Sequence, residues 1–220
     1  MIQIHQHGLV THPATVAALR DEYTARRCAL VRQMLEPALL ERLLQAVDVA
    51  HVHERTDTAK DGAVVAKELR VESAAIVSRM FALLFNTPAL FRCIEQLTGC
   101  STIGHFTGRI YMMQPDSNHH DSWHDDNNGN RLVGVSVNLS RTGYSGGQFR
   151  IRERASDHVL AEIHNIVPGD AHLFRIAPEL EHCVAPVTGT ATKIAYAGWF
   201  ETRAKQAAAP TLTHASVIIP

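Results

Sequence analysis

Apolar positions change their spacing near residue 100. Before that point they recur at intervals of three and four, which puts them on one face of a helix. Pro37 opens such a stretch, with Leu39, Leu40, Leu43, Leu44 and Val47, and predicts a helix to about Ala50. Ile76, Val77, Met80, Leu83 and Leu84 predict another over Ser73 to Phe85. Thr87-Pro88 is a cap and first turn, and Gly99 the stop, of a third. Pro13 to Arg26 is a further helix candidate, followed by a short strand at Cys28 to Val31. The polar run Arg55 to Gly62 is expected to be a loop.

From Thr102 the period becomes two. Ile103, His105, Thr107, Arg109, Tyr111 and Met113 share one face, and Phe106, Ile110 and Met112 share the other. Further strands are predicted at 131–139, 148–152, 159–163, 171–175, 182–187 and 193–200. Turn residues separate them at Asn128-Gly129-Asn130, Gly146-Gly147, Pro168-Gly169-Asp170 and Gly189. Many short strands with regular turns predict an antiparallel sandwich or barrel behind a helical first half. Asp170 is expected to make its turn and Trp199 to pack inside the barrel. Residues 203–210 read as a linker and 211–219 as an edge strand or tail.

Composition narrows the function classes. Acidic residues balance basic ones to a net charge of −1, which gives no basic excess for nucleic acid or anionic lipid. No apolar run approaches the roughly 18 residues of a membrane span, and the N-terminus lacks the pattern of a signal peptide. The expectation is a cytoplasmic protein with no nucleic-acid or membrane partner. The four cysteines have no metal-type spacing and read as buried free thiols. Histidine is abundant, at 14, and clusters at His119, His120 and His124.

The candidate chemistry lies there. His124 and Asp126 stand two apart, so an extended backbone would turn both toward one ion, and His182 on a facing strand would add a third donor. Two histidines and one carboxylate leave positions open and suit Fe(II) oxygen chemistry. His119-His120-Asp121 offers a rival register. The turn and the arginine-led strand that directly follow Asp126 favour His124 and Asp126, leaving His119, His120 and Asp121 as loop residues at the rim.

In their order, His124-x-Asp126, the turn, the strand from Arg131, Gly146-Gly147-Gln148-Phe149, Pro168-Gly169-Asp170, Glu181-His182-Cys183-Val184 and the strand Lys193 to Phe200 resemble the iron(II)- and 2-oxoglutarate-dependent oxygenases, in particular the prolyl-4-hydroxylase-like branch. The resemblance covers about residues 101–202. It implies a double-stranded β-helix, or jelly roll: an α+β, mainly β fold, in one domain over 1–220. Residues 1–100 would be its helical support, 101–202 its catalytic core and 203–220 its tail. It implies that His124, Asp126 and His182 hold Fe(II), and that Lys193 pairs with the remote carboxylate of 2-oxoglutarate, with Tyr111 and Thr192 beside it. The reaction implied uses O2 to hydroxylate an unactivated C–H bond of a small-molecule or amino-acid/peptide-like substrate, releasing succinate and CO2. A carboxylate at Asp126 fills the place that related halogenases leave to a halide. Arg109, Asn128, Arg131 and Arg150 are candidate substrate contacts, with Arg152 an alternative to Arg150. Two other classes fit the same barrel: a cupin-like metalloenzyme with no use for Lys193, and a non-catalytic binding module indifferent to loss of His124 or His182.

Overall fold

The computed structural model describes residues 1–58, 62–165 and 167–202. Its first half runs β1 (Ile2–His5), β2 (Gly8–Thr11), α1 (Pro13–Arg26), β3 (Cys28–Val31), α2 (Pro37–Asp48), β4 (Val52–Thr58), β5 (Val64–Val71), α3 (Ile76–Phe85) and α4 (Pro88–Thr98). Helix ends follow local chemistry. The Glu36 carboxylate accepts from the backbone N–H of Ala38 and Leu39 ahead of Pro37, and the Thr87 hydroxyl accepts from Leu90 ahead of Pro88. Gly99 ends α4 in the left-handed region, at φ 68°. α3 starts at Ile76, because Ser73 to Ala75 form the preceding turn.

The second half is all strand: β6 (His105–Met113), β7 (His120–His124), β8 (Arg131–Asn138), β9 (Ser145–Gly146), β10 (Phe149–Glu153), β11 (Val159–Ile163), β12 (Ala171–Arg175), β13 (Leu180–Val184), β14 (Val187–Thr188) and β15 (Lys193–Glu201). β13 stops before Pro186 and β14 resumes after it, dividing the single strand expected over 182–187.

Eleven strands form one antiparallel sheet, in the order β11-β10-β13-β7-β5-β6-β15-β8-β12-β3, with β4 paired on β5. The sheet folds over itself into a jelly roll of two layers. β6, β15, β8, β12 and β3 make the larger layer, and β7, β13, β10 and β11 the smaller. β5 bonds to both, at Leu69↔Met112 and at Ala66↔Asp121, and so closes that side. The four helices cover the outer face of the larger layer, where Val133, Val135, Val137, Tyr196, Phe106 and Phe200 form the main core with Phe81, Phe85, Leu90 and Ile94. The alternate residues of the same strands (Ser136, His172, Phe174, Lys193, Ala197 and Trp199) face the space between the layers. Among the described residues no helix is long and apolar enough to cross a membrane.

Several expectations change. β4, paired antiparallel with β5, takes in Arg55 to Thr58 of the polar run that reads as a loop, and residues 59–61 of that run lie outside the described residues. β4 is an edge strand exposed on almost its whole length, so it carries no apolar alternation to betray it. β1 and β2 form an unanticipated hairpin, which buries Ile2 and Ile4. Asp170 does more than make a turn. Its buried carboxylate accepts from Arg32 Nη1 at 2.8 Å and from the backbone N–H of Gln33 at 2.7 Å, tying down the end of β3. The linker and tail expected over 203–219 lie outside the described residues.

Phe174 lies tightly over its cross-strand partner Gly134, where a Cβ would lie 2.0 Å from Phe174 Cζ. The Phe174 ring in turn stands 4.5 Å, centroid to centroid, from that of His182. Gly134→Ala should therefore lower the unfolding free energy by about 1–3 kcal/mol, read as an earlier midpoint in urea. An unchanged midpoint would mean that the Phe174 ring swings aside freely.

Candidate metal centre and its cavity

β13 pairs with β7 so that His182 lies directly opposite His124. His124 ends its strand, and Asp126 follows in the left-handed region at φ 55°. The carboxylate thus reaches the cluster by a backbone turn, not by the extended i, i+2 alternation that the sequence suggests. Asp is among the few residues that adopt this conformation readily. The result is that donor atoms of His124, Asp126 and His182 all lie within 4.8 Å of one another. His124 Nε2 is 3.6 Å from Asp126 Oδ1, and His182 Nε2 is 3.3 Å from Asp126 Oδ2.

The donors are oriented as well as gathered. His124 Nδ1 donates to the carbonyl of Ser122 at 2.7 Å, which fixes the ring and points Nε2 at the cluster. Asp126 Oδ1 accepts from Arg131 Nη1 at 2.9 Å, and Oδ2 from the Trp199 indole N–H at 2.6 Å. The Arg131 guanidinium lies 3.5 Å over the Trp199 ring, which braces both donors against the one carboxylate. Burial by itself would raise Asp126, but bonds from His124 and His182 outweigh it and hold the carboxyl well below its ordinary range. Burial opposes charge on His124, yet Asp126 and Asp121 lift it to about 9, while burial dominates at His182 and holds that ring neutral. Two imidazoles and an ionised carboxylate on one side of a point fit a divalent first-row metal.

A small cavity opens on this cluster. Arg109 and Tyr111 line it, so the polar face of β6 is interior there. Arg109 Nε donates to Glu68 Oε1 at 3.1 Å, and buried Glu68 also accepts from Arg70 on its own strand. Burial pushes the Tyr111 phenol up, against a bond from Ser136. Lys193 begins β15 and is 4% exposed. Its Nζ donates to the Gly147 carbonyl at 2.8 Å, in a narrow gap that shares Ser136, Phe149 and His172 with the first cavity. Gly147 has φ 63°, and a Cβ there would lie 3.1 Å from Lys193 Cδ, so the residue's bareness makes room for the lysine stem. Burial lowers Lys193 to about 8, against the attraction of Asp121 and Glu68.

The other candidates do not converge. Thr192 is half-buried and lines neither the cavity nor the gap. Asn128 is an exposed turn residue whose Oδ1 accepts from the Asn130 N–H. Arg150 faces outward in an ion pair with Glu162 at 2.6 Å. Arg152 bonds Glu181 and lies over Trp123. Arg131 serves the Asp126 carboxylate. The rim segment is also different from expectation: His119 is buried and accepts from the Gln114 N–H, and His120 and Asp121 belong to β7. The irregular register between His182 and Val184 turns Asp121 into the same cavity as His124. Glu68, Asp121, His172 and the Trp199 N–H are site groups that sequence reasoning misses. The cue available for Glu68 was the Val64-Val65…Val71 frame of a strand.

Residues 108–201 match the family model of the 2OG-Fe(II) oxygenase superfamily, 2OG being 2-oxoglutarate. No curated protein matches the sequence. Among solved structures, an oxidoreductase of the 2OG-Fe(II) oxygenase family from Burkholderia pseudomallei superposes with TM-score 0.64 at 13% identity, over 91% of this chain and 96% of that one. A Pseudomonas putida prolyl-4-hydroxylase gives 0.61 at 16%, over 85% and 99%. The epimerase SnoN, in complex with Fe3+, alpha ketoglutarate and nogalamycin RO, gives 0.61 at 13%, over 87% and 85%. At these identities the likeness is one of fold.

If the indole N–H orients Asp126, Trp199→Phe keeps the ring and loses the bond. Fe(II) affinity should fall by about tenfold or more, measured by anaerobic competition with a chelator. Unaltered affinity would leave Trp199 a packing residue.

Proposed function

We propose that the chain is a 2OG-Fe(II) oxygenase using Fe(II), 2-oxoglutarate and O2, a reading supported by the match of residues 108–201 to that superfamily's model, and that it hydroxylates an unactivated C–H bond of a small-molecule or amino-acid/peptide-like substrate. One observation carries the reading. A two-histidine, one-carboxylate cluster opens on a cavity whose wall residues Ser136, Phe149 and His172 also border a buried lysine with no carboxylate in ion-pair contact among the described residues. Bound Fe(II) supplies the oxidising chemistry with O2, in which 2-oxoglutarate loses CO2 to become succinate and the second oxygen atom enters the substrate C–H bond.

The residues divide the remaining work. His124, Asp126 and His182 hold the ion. Lys193 meets the remote carboxylate of the co-substrate as a point charge, and the ligand offsets the cost of keeping an ammonium buried. Tyr111 forms part of the co-substrate wall. Arg109, held at Nε by Glu68, is the cavity cation available to an anionic group of the substrate. Asp126 occupies the position that a halide would need, which favours hydroxylation over halogenation. Residues 1–100 serve as support and 101–202 as catalytic core of one domain. A cupin-like enzyme without 2-oxoglutarate would leave Lys193 buried to no purpose.

Anaerobic titration of 2-oxoglutarate into the Fe(II)-loaded protein should produce the visible charge-transfer band of the chelate. Asp126→Ala should abolish the band and substrate hydroxylation, and Lys193→Ala should raise the 2-oxoglutarate needed. Anion binding requires the lysine charged, so affinity should fall as pH rises through about 8, where Lys193 loses its proton. No band from folded, iron-loaded protein would overturn the reading.

A further inference from the structure

Native proteins pair nearly all their buried polar atoms. Among the described residues, five buried side-chain atoms have no hydrogen-bond partner. Three of these five (Asn138 Nδ2, Asn165 Oδ1 and His172 Nδ1) belong to residues that line the narrow gap around Lys193. The amide orientations follow from other bonds. Asn138 Oδ1 accepts from the Ser140 N–H at 3.0 Å, and Asn165 Nδ2 donates to the carbonyls of Ser136 and Asp170. So Asn138 is left with a free donor and Asn165 with a free acceptor.

His172 is the most telling of the three. It is 3% exposed, lies on the inward face of β12 and borders both the cavity and the gap, which places it between the metal cluster and Lys193. Its ring contacts Phe149, with centroids 4.5 Å apart, and makes no hydrogen bond to the protein among the described residues. Burial, helped by the charges of Lys193 and His182, lowers it to about 3, so the ring is neutral and carries one N–H.

We propose that His172 donates a hydrogen bond to the carboxylate that Lys193 holds, with Asn138 as a second neutral donor, and that the pair select a 2-oxo acid with a second carboxylate. The inference rests on the oxygenase reading above. A carboxylate presents about four acceptor sites, and an ammonium already committed to Gly147 has two donors left. Neutral donors fill the remainder without burying a second cation.

The test compares two ligands in the Fe(II)-loaded protein without O2: 2-oxoglutarate, and 2-oxopentanoate, which lacks the remote carboxylate. Dissociation constants come from the charge-transfer band. His172→Phe should weaken 2-oxoglutarate by about tenfold or more and leave 2-oxopentanoate within about twofold. His172→Gln, which keeps an N–H, should recover most of the loss. If His172→Phe does not fold, His172→Leu carries the same comparison. Equal weakening of both ligands would make His172 a packing residue and overturn the inference, as would unchanged 2-oxoglutarate affinity. A wild-type protein that gives no band overturns the oxygenase reading and this inference together; a wild-type band with an indifferent His172→Phe overturns this inference alone.

Discussion

Three donors from two distant stretches of the chain share one point because β13 pairs with β7 in the register that sets His182 against His124. A slip of one residue would turn His182 outward and bring Cys183 or Glu181 in its place. Much of the surrounding structure guards that register. β10 runs along the other edge of β13 with Ile151 opposite His182, and the Phe174 ring rests on the imidazole. Gly134 lets Phe174 come that close. The bulge between His182 and Val184 then places Asp121 without disturbing His124.

Charge is distributed with the same economy. Asp126 is balanced by Arg131, and Arg131 also stands 3.6 Å from Glu201 on the last strand. Glu68 lies between Arg70 and Arg109, and Arg70 reaches Asp57 on β4. An alternating chain of charges therefore runs from the edge strand into the cavity. Lys193 is the exception: it has a carbonyl and aromatic rings around it, but no carboxylate in ion-pair contact among the described residues. An uncompensated buried cation destabilises a fold unless something binds it, which is why its surroundings read as a ligand site.

The strands of the second half were legible because each has one face on the helical core and one on the cavity, so period two survives in Val133, Val135 and Val137 or in Tyr196 and Phe200. Pro37, Thr87-Pro88 and Gly99 marked the helices for local reasons that tertiary contacts did not override. The pairing of β4 with β5 was illegible because its outer strand buries almost nothing, and with it went Glu68. Asp126 is instructive in another way. His124-x-Asp126 identified the right pair, yet the carboxylate arrives through a left-handed turn that no alternation predicts. His172 resembled any core histidine, since only the three-dimensional count of unpaired atoms sets it apart. Arg150 and Asn128 misled because a charged or amide side chain beside a candidate site has no address until the strand's facing is known.

The indole that bonds Asp126 is one of only two in the chain, the other being Trp123 beneath Arg152. Its excited state lies a few ångströms from the proposed ion, close enough for a bound paramagnetic metal to quench it and for a diamagnetic one such as Zn(II) to leave it bright. The same ring that braces the carboxylate thereby gives the protein an intrinsic optical gauge of what occupies its centre, readable without a label and without turnover.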